Sequence, residues 1–242
     1  MPDATGSSAS APVQSPDRAA RRAGVLLLLA AMFTVVMVYA RVAADADQPT
    51  LRQSLQAVSE YPLMYVTSGI ARLLSGMLFL AAGWLLLQTW IIRERRATPL
   101  VPYLFVVSGT FTAASGACAI LIAVHMALDP VSTAGDSPMT DLTVLNWMSS
   151  IRWITGKAGF AAAGVALIVA SPYQWRVGGT LRKIAPVSAV LGVAMQFIWF
   201  DAATMIHPAI GTAFFLWLII IGSMLVSGRV ERHYMATYGS ET

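Results

Sequence analysis

Residues 23–40, AGVLLLLAAMFTVVMVYA, decide the fold class because they form a long apolar run that contains no charged residue. A helix needs roughly 20 such residues to cross about 30 Å of hydrocarbon. The run does not alternate between apolar and polar residues, as the roughly 10-residue strands of a membrane barrel do. We therefore predict a membrane-spanning helix here and an all-α fold for the chain.

The composition of the whole chain extends this prediction. Of its 242 residues, 57% are hydrophobic and only 12% are charged, and the mean hydropathy is +0.65. This is too apolar for an ordinary soluble domain. We predict a polytopic helical bundle with six transmembrane helices, at about 24–43, 63–92, 100–128, 148–172, 184–204 and 208–228. Residues 1–22 are predicted to be a disordered cytoplasmic tail, 23–229 the six-helix transmembrane domain, and 230–242 a short cytoplasmic tail.

The positions of the cations predict the orientation. Eleven of the sixteen Lys and Arg residues lie before span one, after spans two and six, or between spans four and five. By the positive-inside rule both termini are cytoplasmic, which agrees with an even number of spans. We expect a multi-pass protein of a bacterial inner membrane. Arginines, an apolar run and ADA at 44–46 also resemble a signal peptide, but the long apolar run favours an uncleaved anchor.

Two segments of similar pattern predict an internal repeat. RLLSGMLFLAAG at 72–83 lies in span two, and RWITGKAGFAAAG at 152–164 lies in span four. With one insertion, each has Arg, two apolar residues, Ser or Thr, Gly, then Phe, small residues and Gly. This pattern favours a helical hairpin used twice in parallel orientation, as spans 2–3 and 4–5. Accidental alignment of Ala- and Gly-rich helices is the alternative.

Three cations within the predicted spans form the candidate site. Counting along the spans places Arg72 and Arg152 at the outer edge of the hydrocarbon, with Lys157 about one turn deeper. They could bind an anion, such as a lipid phosphate or a carboxylate, between the helices. Alternatively, the arginines reach the headgroups by snorkelling, and Lys157 forms a structural ion pair with Asp201, the acid within a predicted span.

Small residues predict a close helix pair. Glycines recur every seven residues in span two, and Ser-Gly pairs recur at the same interval in span three. These residues are Gly69, Gly76 and Gly83, and Ser108–Gly109 and Ser115–Gly116. Small residues at such spacing let membrane helices approach closely, so we predict a packing seam between these spans.

The sequence offers little for metal or catalytic chemistry. Cys118 is the single cysteine, and the three histidines are not clustered with other ligands, so no metal site and no cofactor are predicted. His125 and His207 are weak haem or metal candidates at the outer side. A protease dyad of Ser115 and His207 fails because the two residues are expected at different depths. No catalytic residue is predicted.

The order of RRAGVLLLLAA at 21–31, SGIARLLSGMLFLAAG at 68–83 and HPAIGTAFFLWLIIIGSML at 207–225 resembles a bacterial family of six-helix integral membrane proteins of unknown function. The resemblance implies fold and location only. The leading expectation is a non-enzymatic accessory or assembly subunit that packs against other membrane protein subunits or itself, as in a respiratory or photosynthetic complex. A small carrier or binding protein for an amphipathic anion at the outer leaflet comes second, and a membrane-embedded enzyme third. No nucleic-acid partner is expected.

Overall fold

The computed structural model describes residues 17–44, 50–128, 139–200 and 206–238, and helices account for most of them. The elements are, in chain order, α1 (Arg18–Ala43), α2 (Leu51–Glu60), α3 (Pro62–Leu87), α4 (Trp90–Arg93), α5 (Leu100–Leu128), α6 (Met139–Val177), α7 (Gly179–Gln196) with a 3-10 turn at Phe197–Trp199, α8 (His207–Val226) and α9 (Arg229–Tyr238).

Six of these helices are long and apolar enough to cross a membrane: α1, α3, α5, α6, α7 and α8. This confirms the prediction of an all-α membrane bundle with six spans. Many large apolar side chains point away from the bundle, among them Met32, Val35, Trp84 and Val190. Such a surface is compatible with lipid and not with water.

The structure corrects the ends of several predicted spans, including span five, which was predicted from residue 184 although α7 begins at Gly179. Span two was predicted to reach residue 92, but α3 ends at Leu87 and a separate short helix, α4, follows. The break is stabilised by the Thr89 hydroxyl, which donates to Leu86 O at 2.7 Å. Span four was predicted to end at residue 172, but α6 continues through Pro172 to Val177. Membrane helices tolerate proline where neighbouring helices satisfy the freed backbone groups.

The first helix begins inside the predicted tail. Asp17 caps α1 by accepting hydrogen bonds from the backbone amides of Ala19 and Ala20, so the helix starts at Arg18. The other end of the chain also contains structure, because α9 occupies residues 229–238 and its Thr237 hydroxyl donates to Val177 O at 2.9 Å. Residues 1–16 and 239–242 of the two predicted tails lie outside the described residues.

The six spans form a closed ring. Helix α1 packs on α3, α3 on α5, α5 on α6, α6 on α7, α7 on α8, and α8 returns to α1. We call the end of the ring that contains Asp17 the terminal side, and the opposite end, where α1 ends at Ala43, the loop side. The ring contains the pairs α3–α5 and α6–α7 of the predicted repeat. The repeat itself stays a prediction.

Aromatic side chains fill the centre of the ring. Phe79 of α3 stacks on Phe105 of α5 and on Phe214 of α8, with ring centroids 6.0 and 6.1 Å apart. Trp217 stacks on both Phe105 and Phe214, and its Nε1 donates to Ser188 Oγ of α7 at 2.8 Å. Phe160 of α6 meets Phe214 edge-on. We call these five residues the aromatic layer, and it separates the interior of the ring into two halves.

The predicted glycine seam between α3 and α5 is confirmed. A Cβ added at Gly76 would meet the backbone of α5 at Ala113 and at Gly109 O. A Cβ added at Gly116 would likewise meet the backbone of α3 at Leu73 and at Gly69 O. Each helix therefore lies directly against the backbone of the other, which only glycine permits.

Gly76→Ala tests the seam. Because the added methyl meets backbone atoms of α5, we expect the free energy of unfolding to fall by about 1–3 kcal/mol. Chemical denaturation in detergent micelles, followed by tryptophan fluorescence, measures this quantity. The matched control is Gly211→Ala in α8, where an added Cβ has no atom within 4 Å. Equal stability of the two variants would contradict the close approach.

Candidate functional site

A cavity of about 330 Å³ lies inside the ring on the loop side of the aromatic layer. Four cationic side chains from three helices line it: Arg41 of α1, Arg72 of α3, and Arg152 and Lys157 of α6. No residue in the described part of its wall is acidic. We call it the cationic cavity. Its content of positive charge is high for the interior of a membrane bundle, where charged side chains are costly.

The other walls of the cationic cavity are apolar or weakly polar. Phe79, Phe160 and Phe214 of the aromatic layer form its floor. Hydroxyl groups contribute to the sides, from Thr34, Ser75, Ser108 and Thr112. Thr34 and Ser75 are already engaged, since their oxygens are 3.0 Å apart and both donate to Ala30 O. The cavity therefore combines a cationic rim with an apolar base.

Ser115 connects the two arginines that the sequence analysis identified. It lies on α5, is fully buried, and accepts a hydrogen bond of 3.1 Å from Nη1 of Arg72. Its own hydroxyl donates to the backbone oxygen of Arg152 at 2.7 Å. One hydroxyl therefore links α3, α5 and α6 and fixes the orientation of the Arg72 guanidinium group.

Two glycines of α6 allow this arrangement. A Cβ added at Gly156 would lie 3.1 Å from Ser115 Oγ and 3.6 Å from Nη1 of Arg72. At Gly159, an added Cβ would lie 2.6 Å from the hydroxyl oxygen of Thr112 on α5. The absence of side chains at these positions lets α6 approach α5 and leaves space for the Arg72 guanidinium.

Lys157 is the most buried of the four cations, with 8% of its surface exposed. Its Nζ lies 3.4 Å from the ring centroid of Trp153, one helical turn earlier on α6. Trp199 lies further away, with 6.0 Å between Nζ and the ring centroid. A cation over the face of a tryptophan ring gains roughly 0.5–2 kcal/mol, and more where both groups are removed from water. This contact offsets part of the cost of burying the ammonium.

The structure brings Arg72, Arg152 and Lys157 to one cavity. The predicted ion pair between Lys157 and Asp201 involves a residue outside the described ranges. His207 lies in the wall of the same cavity, and its Nε2 is 3.1 Å from Phe197 O. His125 does not line this cavity. The structure therefore does not place the two weak haem candidates at a common site.

Two features of the site were missed in the sequence. Ser115 was interpreted as one of the small residues of the α3–α5 seam, although it bonds Arg72 and the backbone of α6. Trp153 was not identified as a contact of Lys157, although its spacing of four residues from Lys157 places both on one helix face. That spacing is a usable signal for a cation–π contact, whereas nothing in the sequence indicates the role of Ser115.

The cationic side chains of the cavity are of the kind that binds anions in proteins. Arginine side chains bind phosphate and carboxylate groups through two parallel hydrogen bonds, and lysine adds a compact positive charge. The described ranges contain no group of three or more His, Cys, Asp or Glu side chains that could hold a metal ion.

Comparison with known proteins adds no further assignment, because no family model, no curated protein and no solved structure matches the chain. The six candidate spans agree with the resemblance to a six-helix membrane family, but they do not establish membership.

Ser115→Ala tests the link between the helices. The substitution removes the acceptor of Arg72 Nη1 and one donor to Arg152 O, so we expect the free energy of unfolding to fall by about 1–3 kcal/mol. Denaturation in micelles measures it. Ser150→Ala is the control, because Ser150 is exposed on the same helix as Arg152 and should change stability by less than about 0.5 kcal/mol. If Ser115→Ala lowered the free energy of unfolding no more than Ser150→Ala does, the Ser115 hydrogen bonds would not contribute to stability.

Proposed function

We propose that this protein binds an amphipathic anion in the cationic cavity, with the anionic group at the arginines and the apolar part on the aromatic floor. The observation that carries the proposal is the convergence of Arg41, Arg72, Arg152 and Lys157 on one cavity above Phe79 and its neighbours. This is the second of the functions expected from the sequence, and the geometry favours it over the first.

The anionic group is recognised by the arginines. Ser115 holds Arg72 at Nη1, so its guanidinium has a fixed orientation before a ligand arrives. A preorganised side chain loses less conformational entropy on binding, which increases affinity. In surroundings of lower dielectric than water, the attraction between guanidinium and phosphate or carboxylate is stronger. A phosphate or carboxylate group is therefore the ligand chemistry that we assign to this cavity.

The apolar part of the ligand is accommodated by the floor. Its rings come from α3, α6 and α8, and Met37 and Ile198 add apolar side chains to the wall. The volume of about 330 Å³ is at the lower end of the 300–1,000 Å³ typical of ligand pockets. The cavity thus suits a headgroup and the first part of one chain. A lipid headgroup and a free alkyl phosphate or fatty acid share this chemistry.

The assembly-subunit function stays a prediction, as do the inner membrane and the cytoplasmic termini. No feature of the described surface identifies a protein partner. The choice of a binding protein rather than a carrier is based on the aromatic layer, which separates the cationic cavity from the terminal side.

The double variant Arg72→Gln/Arg152→Gln tests the proposed function. With delipidated protein in neutral micelles, we expect the wild type to bind dodecyl phosphate at least about tenfold more tightly than dodecanol, because buried charge-assisted hydrogen bonds contribute about 1.5–3 kcal/mol. The double variant should lose this preference. Titration calorimetry measures both affinities, and size-exclusion chromatography confirms that the variant is monodisperse. Arg72→Lys/Arg152→Lys should retain part of the preference. Lysine keeps the positive charge, but it cannot form the two parallel hydrogen bonds of a guanidinium group.

The control is Arg22→Gln/Arg93→Gln, which removes two exposed arginines on the terminal side and should leave the preference for dodecyl phosphate unchanged. An equal loss in the control would show that net charge, and not the cavity, determines binding. Native mass spectrometry of protein extracted from its host membrane distinguishes the sources of the ligand. A phospholipid adduct indicates a headgroup, and a single-chain adduct indicates a free amphiphile. Stoichiometric protein subunits with no anionic adduct would support the assembly function instead.

A further inference from the structure

A second cavity, of about 150 Å³, lies on the other side of the aromatic layer, towards the terminal side of the ring. Phe105 and Trp217 of the layer line one end, and Trp90 of α4 and Gln174 of α6 line the wall. We call it the Trp90 cavity. Most of its wall is apolar, and nothing in the proposed function uses it.

Two polar atoms of this wall lack hydrogen-bond partners among the described residues. They are Nε1 of Trp90, a donor, and Oε1 of Gln174, an acceptor, and both atoms are buried. Gln174 is 8% exposed. A buried polar group without a partner is destabilising, and such groups in folded proteins normally bond to another group or to a bound molecule.

The carboxylates of the wall are already engaged. Asp17 caps α1, and its Oδ2 accepts from the backbone amide of Trp90 at 2.9 Å. Glu231 of α9 accepts from the backbone amide of Asp17 at 3.0 and 3.1 Å. These bonds fix α4 against α1 and α9 and so position Trp90. They also direct the two carboxylates to backbone groups, which disfavours an organic cation as the occupant.

We propose that the Trp90 cavity binds a small apolar molecule that carries one hydroxyl group. A hydroxyl both donates and accepts, so it offers a partner to an acceptor such as Gln174 Oε1 and to a donor such as Trp90 Nε1. Apolar cavities of about 150 Å³ hold a benzene-sized molecule. The ligand class is therefore a short-chain phenol or a compact alcohol. Binding of water alone is the alternative, and the experiment below distinguishes the two.

Titration of the purified protein with 4-ethylphenol and with ethylbenzene tests the proposal, because these probes differ in the hydroxyl alone. A site that hydrogen-bonds a hydroxyl rejects the analogue that lacks it, so we expect wild type to bind 4-ethylphenol at least about tenfold more tightly than ethylbenzene. Calorimetry measures both affinities, with a titration of empty micelles subtracted. In Trp90→Phe and in Gln174→Met, the preference should fall to about threefold or less, since each variant removes one hydrogen-bonding group and keeps most of the volume.

Matched controls are Trp84→Phe and Gln88→Met, which change an exposed tryptophan and an exposed glutamine of the same region of the chain. Both should retain the tenfold preference, as should Arg72→Gln/Arg152→Gln, whose changes lie in the other cavity. The proposal is overturned if wild type binds neither probe, a result that indicates a cavity filled by water only. It is overturned equally if wild type binds 4-ethylphenol and ethylbenzene with the same affinity. It is also overturned if both cavity variants keep the full preference.

Discussion

The stacking of aromatic rings across the centre of the ring of helices is the constraint on which the rest of the structure depends. Phe79, Phe105, Phe214 and Trp217 come from three different spans and lie with neighbouring centroids 6.0–6.4 Å apart. Because lipid chains are as apolar as the helices, packing and hydrogen bonds, rather than the hydrophobic effect, drive helix association in a bilayer. The rings set how far apart the opposing spans lie. The glycine seam allows α3 and α5 to touch, and the two cavities lie on either side of the aromatic layer.

Lys157 is buried and Arg72 is half-buried on the loop side of this layer, and polar and aromatic groups contact both. Arg72 bonds to Ser115, and Lys157 lies against Trp153. Each contact offsets part of the desolvation cost of a charge that would otherwise be expensive at this depth. The same contacts fix where the charges point. Stability and the proposed ligand recognition thus depend on the same few residues, so the proposal gives Ser115 and Gly156 a role in the site beside the arginines.

Much of the fold could be predicted from the sequence, and less of the site. Six spans follow from runs of apolar residues, and the α3–α5 seam follows from glycines at heptad spacing. The membrane depth of Arg72, Arg152 and Lys157 stays a prediction from residue counting, which uses the rise of 1.5 Å per helical residue. The ring order, the aromatic layer and the Ser115 link depend on which helix faces which. That information is in tertiary packing and not in any local pattern, so the sequence indicated three cations of the cationic cavity but not its aromatic floor, and it did not indicate the Trp90 cavity.

The aromatic layer also bears on whether the proposed anion site belongs to a binding protein or a carrier. The two cavities share the layer as a common wall, with Phe79 and Phe214 on the cationic side and Phe105 and Trp217 on the other. An anion that crossed this wall would leave four cations for a cavity whose carboxylates, Asp17 and Glu231, carry the same sign of charge as the anion. Passage would also require the stacked rings to separate, together with α3, α5 and α8. Charge and packing therefore oppose movement of an anion between the cavities, and this arrangement favours retention of a ligand on one side of the membrane.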